Sequence, residues 1–205
     1  MSRARATSFH GPSYLRRSVA KREPRQRFLI VCEGKETEPN YFRGFRVPGS
    51  VMEMDIRGLG LNTVDLVRDA DELAKIDGEY DQVWCVFDRD GFPAQHFADA
   101  LKLAKRLKIR VAYSNESFEL WFLLHFNYVC TGISRTLYCS KLSSLIRAKY
   151  RKNSREMYAL LEPQQPQAIR NAKTLMGQYC PPDPVSDNPS TSVHLLVEEL
   201  NRFIR

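Results

Sequence analysis

The residues of this sequence best placed for chemistry are carboxylates at the ends of apolar runs. Phe28–Cys32 (FLIVC) leads into Glu33-Gly34, and Val83–Phe87 (VWCVF) leads into Asp88-Arg89-Asp90-Gly91. In extended backbone, residues two apart face the same way, so Asp88 and Asp90 can point at one cation. Glu33 joins them if the two runs are neighbours. Carboxylates gathered at one rim repel each other, and a hard divalent ion is a natural way to hold them ionised. Mg²⁺ takes one or two protein carboxylates, keeps several waters and binds substrate phosphate oxygens. Such an ion polarises a phosphodiester and activates a water. The plainer reading of Asp-Arg-Asp-Gly is turn chemistry, which Asp before Gly at a strand end commonly serves.

Glu119 is the next candidate. Within Phe118–Phe126 only Glu119 and His125 interrupt the apolar residues. A helix apolar on nearly every side is buried, and a buried carboxylate needs a partner. Glu119 is therefore a further metal ligand or base, or else half of an ion pair with an Arg or Lys from the C-terminal region. Asn115, four residues earlier, is placed to share its site. His125 reads as a core histidine rather than a ligand.

Several other chemistries are excluded. Gly34-Lys35 lacks the G-x4-G-K-[ST] spacing of a nucleotide-binding loop, and no G-x-G-x-x-G follows a strand. Ser114 and Ser117 have no G-x-S-x-G setting. The five cysteines are scattered, without the close pairs of a zinc ribbon or a disulfide framework.

The elements that must position these residues follow from periodicity. Phe28–Cys32 and Val83–Phe87 predict strands buried on both faces. Alternation over Val51–Arg57 predicts a strand, and Ile109–Tyr113 a fourth. Helical spacing predicts helices from Thr37, as cap, to about Arg46, over Asn62–Ile76, from Pro93 onward and over Glu116–Phe126. Alternating strand and helix signals read as a parallel sheet covered by helices. After about Asn127 the strand signal stops. Tyr138, Leu142, Leu145, Ile146 and the stem of Lys149 mark one helix face, Gln165–Gln178 another helix, and Val193–Ile204 a last one capped by Ser190 or Thr191. Cys180–Pro189 reads as a Pro-rich loop.

Charge is unevenly distributed. The chain of 205 residues carries a net +7, and residues 1–27 hold eight basic residues against one acid. That arm, with Arg16, Arg17, Lys21 and Arg22, is too poor in apolar residues to order itself. It is either a grip for phosphate-rich partners or a solvated start. Lys141–Arg155 has six bases and no acid, with Tyr150 inside and Tyr158 nearby. Lys141, Arg147, Lys149, Arg151 and Lys152, with Lys35, complete the candidate nucleic-acid contacts. A charged helix face is usually only solvated, but several basic segments in a small chain favour a polyanion partner. No apolar run is long enough for a membrane span, and no apolar leader is present, so a cytoplasmic protein is expected.

Four segments carry a resemblance. LIVCEGKETEPNYF (29–42), FDRDGF (87–92), SNESFELWFLLHF (114–126) and NPSTSVHLLVEEL (188–200) resemble the RloB-like family, in the expected order. The strand-Glu-Gly and strand-D-x-D segments look like the two motifs of a Toprim domain, a fold of topoisomerases, primases and overcoming-lysogenization-defect nucleases. The resemblance implies a Toprim-like, Rossmann-like, mostly parallel four-stranded sheet flanked by helices, with a C-terminal helical appendage. Residues 1–26 would be a basic arm, 27–127 the catalytic domain and 128–205 a helical extension packed on it. It further implies Mg²⁺ or Mn²⁺ at Glu33, Asp88 and Asp90, a general acid/base role for Glu33, and Glu119 as a fourth acid. The family often has Pro where this chain has Glu116, a departure in the turn before the apolar helix. RloB-like proteins are commonly paired with an ATPase in phage defence, which implies an AAA- or ABC-type partner.

The leading expectation is therefore a metal-dependent nuclease acting on RNA, tRNA included, or on DNA. The alternative is a non-catalytic nucleic-acid-binding or regulatory subunit of an ATPase complex. Phosphoryl or nucleotidyl transfer to a small nucleotide is a poorer third, because no nucleotide-recognition motif stands out. The chain is too small for a topoisomerase with a separate Tyr domain and lacks a primase-type zinc module.

Overall fold

The computed structural model describes residues 25–78, 80–89 and 93–204. The described elements run β1 (Gln26–Cys32), α1 (Thr37–Phe42), β2 (Met52–Gly58), α2 (Thr63–Asp77), β3 (Gln82–Asp88), α3 (Ala94–Leu107), β4 (Arg110–Asn115) and α4 (Glu119–Leu124). There follow α5 (Arg135–Leu145), α6 (Met157–Leu161), a 3-10 turn (Glu162–Gln164), α7 (Gln165–Met176), β5 (Ser190–Thr191) and α8 (Val193–Asn201). The sheet order is β2-β1-β3-β4-β5. All pairings are parallel except β4 with β5.

The apolar runs form β1 and β3, two of the three inner strands, as expected of a sheet covered on both faces. Side chains alternate along them. Phe28, Ile30, Cys32, Trp84 and Val86 enter one core, with α1, α4 and the helices of the C-terminal region. Leu29, Val31, Cys85 and Phe87 enter the other, beneath α2 and α3. Asn62 caps α2, its side chain accepting from Asp65 N at 3.1 Å.

The sheet has five strands rather than four. The fifth is a two-residue strand after Asn127, with Thr191 opposite Ser114 and Ser190 opposite Asn115. Ser114 and Thr191 share a side-chain hydrogen bond of 3.0 Å. Ser190 and Thr191 thus belong to a strand, and Ser192 takes the cap position of α8. Thr191 Oγ1 still accepts from Val193 N at 3.3 Å.

Several helices end sooner than periodicity predicts, α7 at Met176 and α8 at Asn201 among them. In α1, Glu36 and not Thr37 occupies the cap position, with no side-chain cap bond. That helix ends before Gly44, where the side chain of Tyr158 packs so closely that a Cβ would lie 2.3 Å from it. The apolar stretch 116–126 is helical only over Glu119–Leu124, and the Asn115–Glu116 peptide before it is cis. Helix α5 stops at Leu145, leaving Lys149 exposed in the loop beyond it. Among the described residues no helix is long and apolar enough to cross a membrane.

Candidate acidic site at the carboxyl edge of the sheet

Parallel α/β sheets place ligand sites beyond the carboxyl ends of their strands. β1 and β3 are neighbours with Cys32 opposite Val86, which brings Glu33 to the end of β3. Glu33 N donates to Val86 O at 2.8 Å, extending the ladder by one residue. Its Oε2 then accepts from Asp88 N at 3.0 Å. Asp88 Oδ2 lies 3.6 Å from the guanidinium of Arg135, at the start of α5. Asp90 lies outside the described residues.

Two further carboxylates enter from helices. Glu119 opens α4 and is 2% exposed. Its Oε1 accepts from the Tyr150 hydroxyl at 3.2 Å and lies 3.5 Å from Lys152 Nζ. Of the two readings of Glu119, metal ligand or base against ion pair, the contact present is the ion pair, with a lysine of the C-terminal region. Glu38, in the first turn of α1, is 5% exposed, and its Oε2 has no hydrogen-bond partner among the described residues. The carboxylate lies against Gly34, where an added Cβ would sit only 2.2 Å from Oε2. Tyr41 fixes the helix that carries it, its ring 5.8 Å from Phe118 and 5.5 Å from Tyr158.

The four acids share one field. Burial pushes the Asp88 carboxyl well above its ordinary value, and the charges of Glu38, Glu119 and Glu33 push it further, with Arg135 opposing. Burial likewise raises Glu38, aided by Glu119 and opposed by its own backbone hydrogen bond, Lys152 and Arg135. An acidic cluster with this much mutual repulsion is electrostatically costly and requires cations.

Neither Glu38 nor Arg135 stands out from sequence. An acid in a helix's first turn is ordinary, because it complements the helix dipole. Glu38 becomes distinctive only through the missing side chain of Gly34 and the docking of Tyr41. Arg135 carries a fainter signal: a cation in the first turn of a helix opposes the dipole, which calls for an anion nearby.

Other candidates are placed differently. Asn115 does not share the Glu119 site; its Nδ2 donates to Asp187 O at 2.7 Å. His125 is a core residue, 1% exposed, with Nδ1 2.9 Å from Trp121 O. Burial lowers its pKa to about 4. Lys35 lies across Gly60, whose φ is +69° and whose added Cβ would meet the lysine Cε at 2.5 Å. Lys141, Arg147, Lys149, Arg151 and Lys152 are all exposed. Tyr150 and Tyr158, noted among those bases, are 8% and 5% exposed and belong to the core. Arg16, Arg17, Lys21 and Arg22 lie outside the described residues.

The donor set consists of carboxylate oxygens, the ligands that Mg²⁺ and Mn²⁺ prefer. Glu38 Oε2, buried and unpartnered, is suited to such an ion. Among the described residues no group of three or more His, Cys, Asp or Glu side chains is set closely enough to hold an ion as it stands. Arg135 and Lys152 instead neutralise Asp88 and Glu119.

Fold and site together define an α/β protein with an acidic cluster at the carboxyl edge of a mostly parallel sheet. The family model of the RloB-like proteins matches residues 28–200, and the chain belongs to that family. No curated protein and no solved structure matches it.

Proposed function

We propose that the chain is a Toprim-like, divalent-metal-dependent nuclease that hydrolyses phosphodiester bonds in RNA or DNA. The observation carrying this reading is the junction of β1 and β3, where Glu33 grips the backbone of Asp88 inside the field of Glu38 and Glu119. Glu33, Asp88 and Asp90 would hold Mg²⁺ or Mn²⁺, with Glu38 and Glu119 as supporting acids. When bound, the ion would supply Lewis acidity toward a phosphoryl oxygen and lower the pKa of a water. Within the chain, Glu33 holds the backbone at the end of β3 in place. Glu119, kept from solvent, is oriented by Tyr150. The exposed bases Lys35, Lys141, Arg147, Lys149, Arg151 and Lys152, with the arm residues Arg16, Arg17, Lys21 and Arg22, would grip phosphates. An effector role in phage defence beside an AAA- or ABC-type ATPase, in the cytoplasm, completes the proposal and rests on family membership.

One observation favours a non-catalytic reading: two of the carboxylates are already paired with cations. A regulatory or nucleic-acid-binding subunit would use the cluster structurally. Labelled tRNA, other RNA and plasmid DNA, incubated with Mg²⁺ or Mn²⁺ and with or without a partner ATPase, separate the two. The nuclease reading expects cleavage by the wild type and none by Glu33→Ala. Intact substrates with both proteins under every condition defeat it.

A further inference from the structure

The cationic half of the site has a geometry of its own. Arg135 begins α5, and Lys152 sits in the loop between α5 and α6. Their side chains are 38% and 53% exposed, whereas those of Asp88 and Glu119, which they approach, are 14% and 2% exposed. Each cation thus reaches from solvent to a carboxylate set deeper. The separations of 3.6 and 3.5 Å are longer than a charge-assisted hydrogen bond, about 2.7–2.9 Å. At these lengths, with the cations far more exposed than the acids, each cation is the half of its pair that another anion in solvent can reach.

The segment that carries Lys152 is fastened on either side of it. Tyr150 is buried against Phe122, with centroids 6.2 Å apart, and binds Glu119. Asn40 Nδ2, on α1, donates to Asn153 O at 3.2 Å. The backbone of Lys152 is therefore fixed while its four-carbon stem can redirect the ammonium. Both cations oppose the raised pKa of Glu38, so both act on the same cluster.

Building on the nuclease reading, we propose that Arg135 and Lys152 are exchangeable counter-cations. They balance Asp88 and Glu119 in the free protein and would pass to non-bridging oxygens of the substrate phosphodiester once the acidic cluster serves a divalent ion. Arg135 is thereby a substrate-binding residue, and the two cations compete with the metal while assisting the nucleic acid. Their removal has opposite effects on the two ligands, which a merely structural pair does not produce.

The test is calorimetric titration of the full chain with Mn²⁺, alongside fluorescence anisotropy of a labelled single-stranded RNA and DNA oligonucleotide. Arg135→Gln/Lys152→Gln is compared with wild type and with the charge-preserving Arg135→Lys/Lys152→Arg. The double Gln variant is expected to bind Mn²⁺ about threefold or more tighter, through loss of a competing charge. It is expected to bind the better oligonucleotide about tenfold weaker, with a shallower salt dependence. The charge-preserving variant should match wild type for Mn²⁺ within about twofold. Should the double variant not fold, as judged by circular dichroism, each single Gln variant carries the same two signs. Unchanged or weaker Mn²⁺ binding by folded Gln variants overturns the competition, and unchanged oligonucleotide binding overturns the transfer. Absence of Mn²⁺ binding in every protein, wild type included, defeats the nuclease reading as well; a wild type that binds Mn²⁺ beside Gln variants that gain nothing defeats this inference alone.

Discussion

The carboxylate of Glu33 accepts a hydrogen bond from the backbone N–H of Asp88 at 3.0 Å, so a side chain joins the ends of β1 and β3 just beyond their ladder. The two residues are far apart in sequence, and register alone brings them together: Cys32 faces Val86, and each strand runs on into its acid. Shifting either strand by one residue would turn its acid to the other face of the sheet.

That junction depends on how closely the loops behind it pack. A Cβ on Gly58 would lie 2.5 Å from Gly34 O and 2.8 Å from Lys35 Cα, both backbone atoms that cannot swing aside. Gly58→Ala is therefore expected to destabilise the protein by about 1–3 kcal/mol. It should also weaken Mn²⁺ binding by displacing the segment after Glu33. Urea unfolding and Mn²⁺ titration of the variant check both effects.

Glu38 gives a prediction in pH. Burial raises its pKa, so the folded chain holds this proton more tightly than the unfolded chain, whose glutamates titrate near ~4.3. The contribution of Glu38 to stability is thus greatest below that ordinary value and declines as pH rises through the raised one. Glu38→Gln removes the decline. In chelator, the variant should be more stable than wild type by about 0.5–2 kcal/mol at mildly alkaline pH. The gain should shrink toward zero near about pH 4, where both glutamate states are protonated. Urea midpoints across the range measure it, and a gain that does not grow with pH contradicts the assignment. Cleavage, where it is observed, should fall.

Tyr150 orients Glu119 through one hydroxyl at 3.2 Å. Tyr150→Phe keeps the ring against Phe122 and deletes that donor. Hydrogen bonds to charged groups are worth about 1.5–3 kcal/mol, and a loss near the lower end is expected because Lys152 remains at the same oxygen. Chemical denaturation of the two proteins gives the number; equal stabilities would mean that the hydroxyl does not support Glu119.

The arm yields a prediction from charge alone. Residues 1–24 include Arg3, Arg5, Arg16, Arg17, Lys21 and Arg22. Basic side chains that neutralise phosphates release counterions, so deleting these residues should weaken oligonucleotide binding and flatten its dependence on salt. The log–log slope should fall by about 0.7 for each phosphate of the single strand that the shortened chain leaves unneutralised. Anisotropy titrations at several salt concentrations read the slope. An unchanged slope assigns the phosphate grip to the body of the protein.

The sequence reveals the site unevenly, for physical reasons. Strands covered on both faces must be apolar throughout, so Phe28–Cys32 and Val83–Phe87 are visible in it, and with them Glu33 and Asp88 as residues just past or at a strand end. Glu119 is visible because a charge in an apolar helix requires a partner, although nothing singles out Lys152 among the bases able to supply it. Glu38 is hidden, since its isolation comes from the packing of Tyr41 and the bare backbone of Gly34. β5 is hidden because two residues show no alternation, and its place is set by Ser114 and Asn115 across the sheet. Helical spacing pairs Asn115 with Glu119, but Asn115 lies in β4 and turns to Asp187.

The most direct measurement is the anomalous scattering of Mn²⁺ in crystals of the full chain soaked with that ion. A peak about 2.0–2.2 Å from carboxylate oxygens of at least two of Glu33, Asp88 and Asp90 is the predicted result. Crystals that show no peak at this edge, with Asp88 still beside Arg135 and Glu119 still beside Lys152, would contradict the account.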